Sequence, residues 1–485
     1  MKRICSSFLP AFPTDKFMAL TVVTAALTGC QVVGRHGNSM DSIVLPASWH
    51  QGVGFRHAAA SVDLRRWWGE FNDPVLTELI RGARAQSPDL KSAVSVVREA
   101  RARRISERSG LFPSLTGDFS AGAGRSKSEV SSGGFDTTVQ NSTESYSAGL
   151  DASWEVDLFG KQRAAVAAAG ADEYSAEETL SAVQASLASE VALAYLDLRT
   201  AEARLAVVRE NVKNFEETYQ LASWREEAGQ IDALDAEQTK SNLEQLRSNV
   251  PPLEQAISSA KNSLALLSGK VPGALDGVLS SRSGRLPEPP RKLAVGIPAD
   301  TLRQRPDVRG AGYDWLAAVY RTDAAEAARM PSLSLNGSLG VDALSSSKIF
   351  NPEQAAASVI AGLTAPIFDA GQIRSQIEIQ SEQEEQALQA YKKTVLTALS
   401  EVEDALMACR KNEERAVITE RALVAARTAE ELARQRYEAG VVDITTVLTT
   451  QQALLSLEDQ SVTVKADRSS SFVGLYKALG GGWQR

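Results

Sequence analysis

The chain has 485 residues, a formal net charge of −8 and an aromatic content of 6%. The acidic balance argues against nucleic-acid binding, which needs a basic surface. A composition rich in Ala, Ser, Glu, Gln and Arg favours long packed helices over one large mixed core. Because His36, His50 and His57 all precede the first strongly patterned segment, we expect no histidine-based metal or acid–base site.

Residues 1–29 have the features of a secretory signal peptide. Basic residues are followed by an apolar run at 17–27 that is too short to span a bilayer. Leu-Thr-Gly then precedes Cys30, which resembles the bacterial lipobox and implies cleavage before Cys30 and attachment of diacylglycerol to its thiol. The alternative is an ordinary cleaved signal with an incidental cysteine. Gln31 follows, rather than the Asp that tends to retain a lipoprotein at the inner membrane.

We interpret residues 30–73 as a lipid-anchored linker and the rest of the chain as two copies of one unit, 74–297 and 298–485. The Pro-Asp pair at 88 recurs at 306, and the Pro-Ser-Leu triplet at 113 recurs at 331, both at an offset of 218. From residue 160, which matches residue 371, the offset is 211, so the first copy carries a loop seven residues longer. A constant register over such a length indicates an internal repeat.

Within each copy the hydrophobic period changes in the same order. Residues 88–110 and 306–329 have helical patterns that end before the Pro-Ser-Leu triplet. A period of two follows and predicts two hairpins, at 115–157 and 333–368, with strands at 115–124, 146–157, 333–342 and 355–368. The Gly- and Ser-rich stretches 125–142 and 342–354 are predicted to be the hairpin loops.

The alternation fits two structures, a soluble sheet with one wet face or a membrane barrel with lipid outside and water inside. The strands approach the ~9–11 residues that cross a bilayer when tilted, and the signal peptide also favours the outer membrane.

Two proline-free segments, 160–229 and 371–440, carry apolar residues at steps of three and four, which is a coiled-coil seam. At ~1.5 Å per residue, such a helix is about 100 Å long. Each segment ends at a glycine, a common helix C-cap, and we expect further helices near 232–268 and 443–479.

These elements and several short motifs together resemble the TolC-like outer membrane factor family, and more closely its lipidated NodT and OprM-type branch. The resemblance covers about residue 60 to the end. It is carried by Trp67-Trp68-Gly69-Glu70-Phe71-Asn72-Asp73-Pro74, Pro88-Asp89-Leu90, Phe112-Pro113-Ser114-Leu115, Trp154-Glu155-Val156-Asp157-Leu158-Phe159-Gly160 and Arg305-Pro306-Asp307-Val308.

The resemblance implies an α+β homotrimer in the outer membrane of a Gram-negative bacterium. Each chain contributes four strands to a twelve-stranded transmembrane antiparallel β-barrel, and the helices continue as a hollow all-α coiled-coil barrel in the periplasm. The implied function is a passive export duct of a tripartite efflux or type I secretion system. The implied partners are a periplasmic adaptor, an inner-membrane pump, outer-membrane lipid and a small-molecule, metal or peptide cargo.

No cofactor is expected, and the chain is not expected to be an enzyme, because we find no phosphate loop, nucleophile elbow or metal-ligand cluster in the sequence. The main alternative is a structural coiled-coil envelope lipoprotein without a pore, and a periplasmic enzyme is a distant third. Trp67 and Trp68 suggest either a ligand-stacking site or, as we favour, a packed anchor for the N-terminal segment.

The resemblance also implies a closed gate at the periplasmic tip, beside Gly229 and Gly440. In the family, a tyrosine before the second turn bonds an aspartate after the first turn of a neighbouring chain, and Tyr437 and Asp235 match those positions. The alternative for Tyr437 is ordinary helix packing. The family also has aspartates early in the last helix, where this sequence has Thr446 and Thr449; the candidate acidic substitutes are Asp232 and Asp443.

Overall fold

The computed structural model describes residues 46, 48–50, 56–57, 64–132, 135–290, 294–295, 302–345, 349, 351 and 355–483. The expected signal peptide at 1–29 and the expected lipidation site at Cys30 lie outside these residues. The described residues form two compact units. The strand unit comprises 105–168 and 319–382, and the helical unit comprises 42–104, 169–318 and 383–485.

The elements of the first half of the chain are β1 (Arg56–His57), a 3-10 helix (Leu64–Phe71), α1 (Pro74–Gln86), α2 (Pro88–Ser109), β2 (Ser114–Ser132), β3 (Phe135–Val156), α3 (Lys161–Glu227), α4 (Ala233–Arg247), α5 (Val250–Leu267), α6 (Asp276–Leu279) and β4 (Ala294–Val295). Those of the second half are α7 (Pro306–Ala327), β5 (Ser332–Ala343), β6 (Ala355–Thr364), α8 (Gln372–Glu438) and α9 (Ile444–Ala478). The predicted order of helix, hairpin, very long helix and return helix is present in both halves.

The strand unit holds one four-stranded sheet in the order β2-β3-β5-β6, in which every neighbouring pair is antiparallel. All 19 residues of β2 pair with β3, so the predicted hairpin loop at 125–142 is wrong. Pairing continues from Arg125 opposite Ser142 to Ser132 opposite Phe135. This stretch contains no proline, and a backbone ladder satisfies N–H and C=O groups whether or not the side chains alternate in polarity.

The second hairpin is shorter than the first. Its strand β6 ends at Thr364, before the predicted limit of 368, and Pro366 beyond it has no N–H to donate to a ladder. The predicted loop at 342–354 lies largely outside the described residues, although β5 continues through its first two positions.

Over the four predicted strand stretches, the register brings most apolar positions to one face of the sheet. Leu150 lies opposite Gly117 on one side and Leu339 on the other, and Leu333 lies opposite Leu363. The other face carries polar pairs: the hydroxyls of Ser120 and Ser147 are 2.8 Å apart, and those of Ser338 and Ser358 are 2.7 Å apart. An exception is Ile360, which lies on the polar face opposite Asn336. The predicted alternation is otherwise confirmed.

The helical unit buries the predicted seams of the two 67-residue helices, α3 and α8. Leu187, Val191, Leu198, Leu205 and Phe215 of α3 are buried. So are Val395, Val402, Leu406 and Cys409 of α8. Within each helix, successive members of this set are separated by three, four or seven residues or by a combination of these steps. They therefore share one helix face.

The first return helix is interrupted, although the sequence predicts one helix over 232–268. Helix α4 ends at Arg247 and α5 begins at Val250. Pro251 and Pro252 follow at once, and a helix running through them would lose two backbone hydrogen bonds and meet a ring clash. Helix α9 contains no proline and runs unbroken for 35 residues.

The N-terminal motif is a packed anchor, as expected, because Trp67, Trp68 and Phe71 are all buried. The Trp67 ring stacks on Tyr476 of α9 with centroids 5.4 Å apart. Asp73 then caps α1 by accepting a hydrogen bond from the Val75 N–H at 2.9 Å.

We predict that Ala152→Arg and Ser153→Arg have different effects. Ala152 lies on the apolar face and Ser153 on the polar face of β3. A charge on a lipid-exposed face costs ~2–4 kcal/mol near the bilayer midplane, so Ala152→Arg should reduce the folded protein recovered from outer membranes, whereas Ser153→Arg should assemble normally. Immunoblots of heated and unheated membrane samples measure this, and the reverse ranking would mean that the two faces are wrongly assigned.

Candidate functional site

Two helix–turn–helix connections carry the predicted gate residues. In the first, α3 ends at Glu227 and Gly229 adopts a left-handed conformation, with φ of 68°. In the second, α8 ends at Glu438 and Gly440 has φ of 73°. The predicted glycine C-caps are therefore present, since this region of φ costs glycine little and other residues more.

An aspartate follows each turn at the N-cap of the return helix. The Asp232 carboxylate accepts a long hydrogen bond from the Leu234 N–H at 3.5 Å. Asp443 has a closely similar extended backbone, with φ of −76° and ψ of 157°, but makes no side-chain cap bond. Both residues are exposed. Their carboxylates are therefore accessible to cations.

Tyr437 lies in the last turn of α8 and is only 3% exposed. Its ring belongs to an apolar cluster that includes Phe215 of α3 and Ile444 and Val447 of α9. Its hydroxyl has no hydrogen-bond partner among the residues that the structure describes. An unpaired buried polar group costs ~1–3 kcal/mol, so packing accounts for the ring of Tyr437 but not for the hydroxyl.

Arg225, in the last turn of α3, reaches the end of α8. Its guanidinium carbon lies 4.3 Å from the centroid of the Tyr437 ring. Its two terminal nitrogens donate to the main-chain carbonyls of Tyr437 at 3.2 Å and Glu438 at 3.3 Å. A helix C-terminus has unpaired carbonyls and the negative end of the helix dipole, so this contact caps α8 with positive charge.

The structure does not join Tyr437 to Asp235 within the chain. Asp235 is half-buried at the start of α4, where its carbonyl accepts a hydrogen bond from the Thr239 hydroxyl at 2.8 Å. Thr446 and Thr449 are exposed at the start of α9, and the Thr449 hydroxyl donates to a carbonyl of its own helix at 2.7 Å. These threonines supply no charge to the tip.

Ion pairs above the tip recur at matching positions with reversed charge. Each joins a long helix to its return helix, and the matching positions are 211 residues apart. The two sets are Glu216–Arg247 (2.5 Å) with Arg427–Glu458 (3.2 Å), and Arg209–Glu254 (2.7 Å) with Glu420–Lys465 (3.9 Å). Thus the same helix packing occurs near both turns, although the side chains differ.

The described part of the chain can also be compared with the requirements of a metal site, a membrane-spanning helix and a reactive cysteine. Residues 46–483, apart from the gaps named above, contain no cluster of three or more His, Cys, Asp or Glu suited to a metal. Across the same residues, the helices are too short or too polar to be membrane spans. Burial raises the pKa of the Cys409 thiol to about 11, and that side chain packs in the apolar core. Cys409 is therefore not an activated nucleophile.

Comparisons with known proteins agree along most of the chain. The model of the family described as outer membrane efflux protein matches residues 79–270 and 297–481. The chain belongs to the outer membrane efflux protein family. It is 34% identical over 469 residues to the pyoverdine export outer membrane protein OpmQ of Pseudomonas aeruginosa, covering 94% of this chain and 96% of that protein.

Two further comparisons support the family assignment. The chain is 31% identical over 471 residues to the toluene efflux pump outer membrane protein TtgF of Pseudomonas putida, covering 95% of this chain and 96% of that protein. The outer-membrane channel OprN has a similar structure, with a TM-score of 0.83 and 31% identity, covering 91% of this chain and 98% of that one. The predicted family and the predicted role as an outer-membrane efflux channel are thus confirmed, as is a fold of long helices joined to a β domain.

We predict that Cys409 is unreactive in the folded efflux channel. With a pKa of about 11, only about one thiol in a thousand is ionised at pH 8, and the side chain is 3% exposed. Maleimide at pH 8 should therefore leave the Cys409 peptide unmodified until the protein is denatured, as measured by peptide mass spectrometry. Ala439→Cys, at an exposed turn residue, is the matched control and should label in the folded protein. Fast labelling of folded Cys409 would contradict the burial.

Proposed function

We propose that this outer-membrane efflux channel works as a homotrimeric passive duct, in which three copies of the four-stranded sheet close a twelve-stranded transmembrane barrel. The observation that carries the proposal is the sheet itself. Over residues 115–123, 146–156, 333–341 and 355–363 it has one apolar face, and its two edge strands, β2 and β6, have no outer neighbour among the described residues. Edge N–H and C=O groups cannot remain unpaired in lipid, and only closure removes every edge.

The helices are proposed to continue the duct as a hollow cylinder in the periplasm, made from two structural repeats per chain, 74–297 and 298–485. Both long helices have 67 residues, and the helices before the two hairpins have 22 each. The charge-reversed ion pairs at an offset of 211 support the same division. Residues 1–29 are then the signal peptide and 30–73 the lipid-anchored linker.

The remaining parts of the system are proposed to be a periplasmic adaptor and an inner-membrane pump, which supplies the energy for transport. In this proposal the chain catalyses no reaction and binds no cofactor. The cargo is proposed to be a small molecule, a metal ion or a peptide. Relatives named for pyoverdine export and for toluene efflux resemble this chain to a similar extent, so small organic molecules are the class that we favour.

Conductance across a planar lipid bilayer tests the proposed duct. Native mass spectrometry first shows that the purified full-length protein is trimeric. The trimer should then give ohmic single-channel steps whose conductance is small for the wild type and larger for variants that open the tip. A trimer that inserts into the bilayer and conducts no ions under any condition would instead support the structural coiled-coil lipoprotein without a pore.

A lipid on Cys30 is the proposed anchor. We predict that radioactive palmitate labels the wild-type protein in cells and that Cys30→Ser, expressed behind a different cleavable signal, is not labelled. The variant should still insert, because a closed barrel is held in the membrane by its own apolar surface. An unlabelled wild-type protein recovered from the outer membrane would rule out the lipid anchor.

At the tip we propose that Tyr437 and Asp235 of neighbouring subunits form a lock. Among the described residues of its own chain, the hydroxyl of Tyr437 has no hydrogen-bond partner, so it is not bonded to the Asp235 carboxylate there. A single such hydrogen bond is worth about 1 kcal/mol, and three-fold symmetry repeats it. Forming the bond requires a small displacement of the surrounding side chains, because the hydroxyl is covered in the isolated chain.

We predict that Tyr437→Phe combined with Asp235→Ala raises the resting conductance and leaves the trimer intact. Tyr437→Phe keeps the buried ring, so a loss of packing does not explain an effect. Asp232→Ala with Asp443→Ala tests the proposed acidic substitutes separately, and Mg²⁺ should block the channel less after these changes. Unchanged conductance in an assembled Tyr437 and Asp235 double variant would exclude the lock, and unchanged block would exclude the acidic substitutes.

A further inference from the structure

The ends of the two long helices have the same backbone geometry at matching positions. In α3, the Gln230 N–H donates to the Arg225 carbonyl at 2.8 Å, and the Gly229 N–H donates to the Glu226 carbonyl at 2.8 Å. In α8, the Val441 N–H donates to the Arg436 carbonyl at 2.9 Å, and the Gly440 N–H donates to the Tyr437 carbonyl at 2.9 Å. Each pair of bonds forms a Schellman cap, and the two caps lie 211 residues apart.

Arg436 is therefore the counterpart of Arg225, but the two arginines differ in their contacts. Arg225 caps the last carbonyls of α8 within the chain. Arg436 is exposed, and its guanidinium has no partner among the residues that the structure describes. The counterparts of the capped carbonyls are those of Glu226 and Glu227 at the end of α3. Neither accepts a side-chain hydrogen bond within the described chain, and both side chains are exposed.

A ring of repeats explains this difference. In a closed ring of three chains with two repeats each, the contact from the first repeat to the second is internal to a chain, and the contact from the second repeat to the next first repeat crosses between chains. Arg225 occupies the internal contact. The matching donor for the contact between chains is Arg436, and the matching acceptors are at the end of α3 in the adjacent chain.

We propose that Arg436 of one subunit caps the C-terminus of α3 in a second copy of this chain, where its guanidinium binds the carbonyl oxygens and a carboxylate of Glu226 and Glu227. The proposal rests on the trimer of the proposed function. It assigns an interaction surface to residues 226, 227 and 436, none of which is a member of the proposed Tyr437–Asp235 lock.

The chemistry of the two contacts differs in a way that an experiment can detect. At the internal contact, Arg225 stacks on the aromatic ring of Tyr437. The position that matches Tyr437 in the first repeat is Glu226, so Arg436 has no ring to cover and meets a carboxylate instead. The contact between subunits is thus an exposed, charge-assisted one and should weaken with salt, whereas the internal contact is less dependent on salt.

Cross-linking tests which chain Arg436 reaches. In a Cys409→Ala background, Arg436→Cys with Glu227→Cys should react with a short bis-maleimide to give dimers and trimers on denaturing gels. The matched control, Arg225→Cys with Glu438→Cys, places the thiols at the corresponding internal contact and should stay at the monomer mass. Native mass spectrometry of each untreated variant first establishes that the trimer is present.

Failure of this proposal and failure of the trimer are distinguishable. A wild-type protein that is not trimeric contradicts the proposed function. A trimeric variant that gives only monomers after treatment, while the control shows its internal link by peptide mapping, overturns the assignment of Arg436.

Charge reversal gives a second, independent readout. Arg436→Glu should lower the temperature at which the trimer dissociates in detergent, Arg436→Lys should lower it less, and adding Glu226→Arg and Glu227→Arg to Arg436→Glu should restore it. High salt should reduce the difference between wild type and Arg436→Glu. Additive losses in the triple variant, with no restoration, would contradict a direct pairing.

Discussion

The constraint on which the rest of the structure depends is that a sheet edge cannot remain unpaired in lipid. The order β2-β3-β5-β6 leaves β2 and β6 as edges, and one face of the sheet exposes large apolar side chains such as Phe119 and Val359. Each unmade backbone hydrogen bond in a bilayer costs several kcal/mol, and in the proposed trimer copies of the sheet complete one another. The proposed ring of repeats satisfies this requirement for the strands and places the long helices side by side.

Much of the fold could be predicted because two periods follow directly from backbone geometry. Residues alternate across a strand and recur every three or four positions on a helix, so the strands near 150 and 335 and the seam from 187 to 215 were visible in the sequence. The prediction was wrong at 125–142, because a polar ladder needs no apolar face and leaves no alternation to detect. It also missed the break before Pro251, although the proline pair was a local signal.

The site was less predictable, because its contacts join distant positions through main-chain atoms. Arg225 bonds the carbonyls of residues 437 and 438, and a carbonyl is present at every position, so no side-chain pattern identifies this partner. Arg305 also has contacts that the sequence pattern did not identify, although it belongs to the Arg-Pro-Asp-Val motif at 305–308. It binds Asp307 at 2.7 Å, Glu401 at 2.6 Å and the Ala478 carbonyl at 2.7 Å, and thereby connects α7, α8 and α9.

The charge-reversed ion pairs indicate how stability is divided between apolar and polar contacts. Electrostatic attraction depends on the product of two charges. Glu216–Arg247 and Arg427–Glu458 therefore both join a long helix to its return helix, although the positions of the acid and the base are exchanged. In the first pair the side chains are 45% and 44% exposed, and such pairs contribute ~0.2–1 kcal/mol. The buried seams of α3 and α8 hold the helices together, while exposed polar contacts fix their register. The exposed ion pairs can be broken and re-formed at little cost in free energy. This property suits a tip that is proposed to open while the apolar seams above it stay packed.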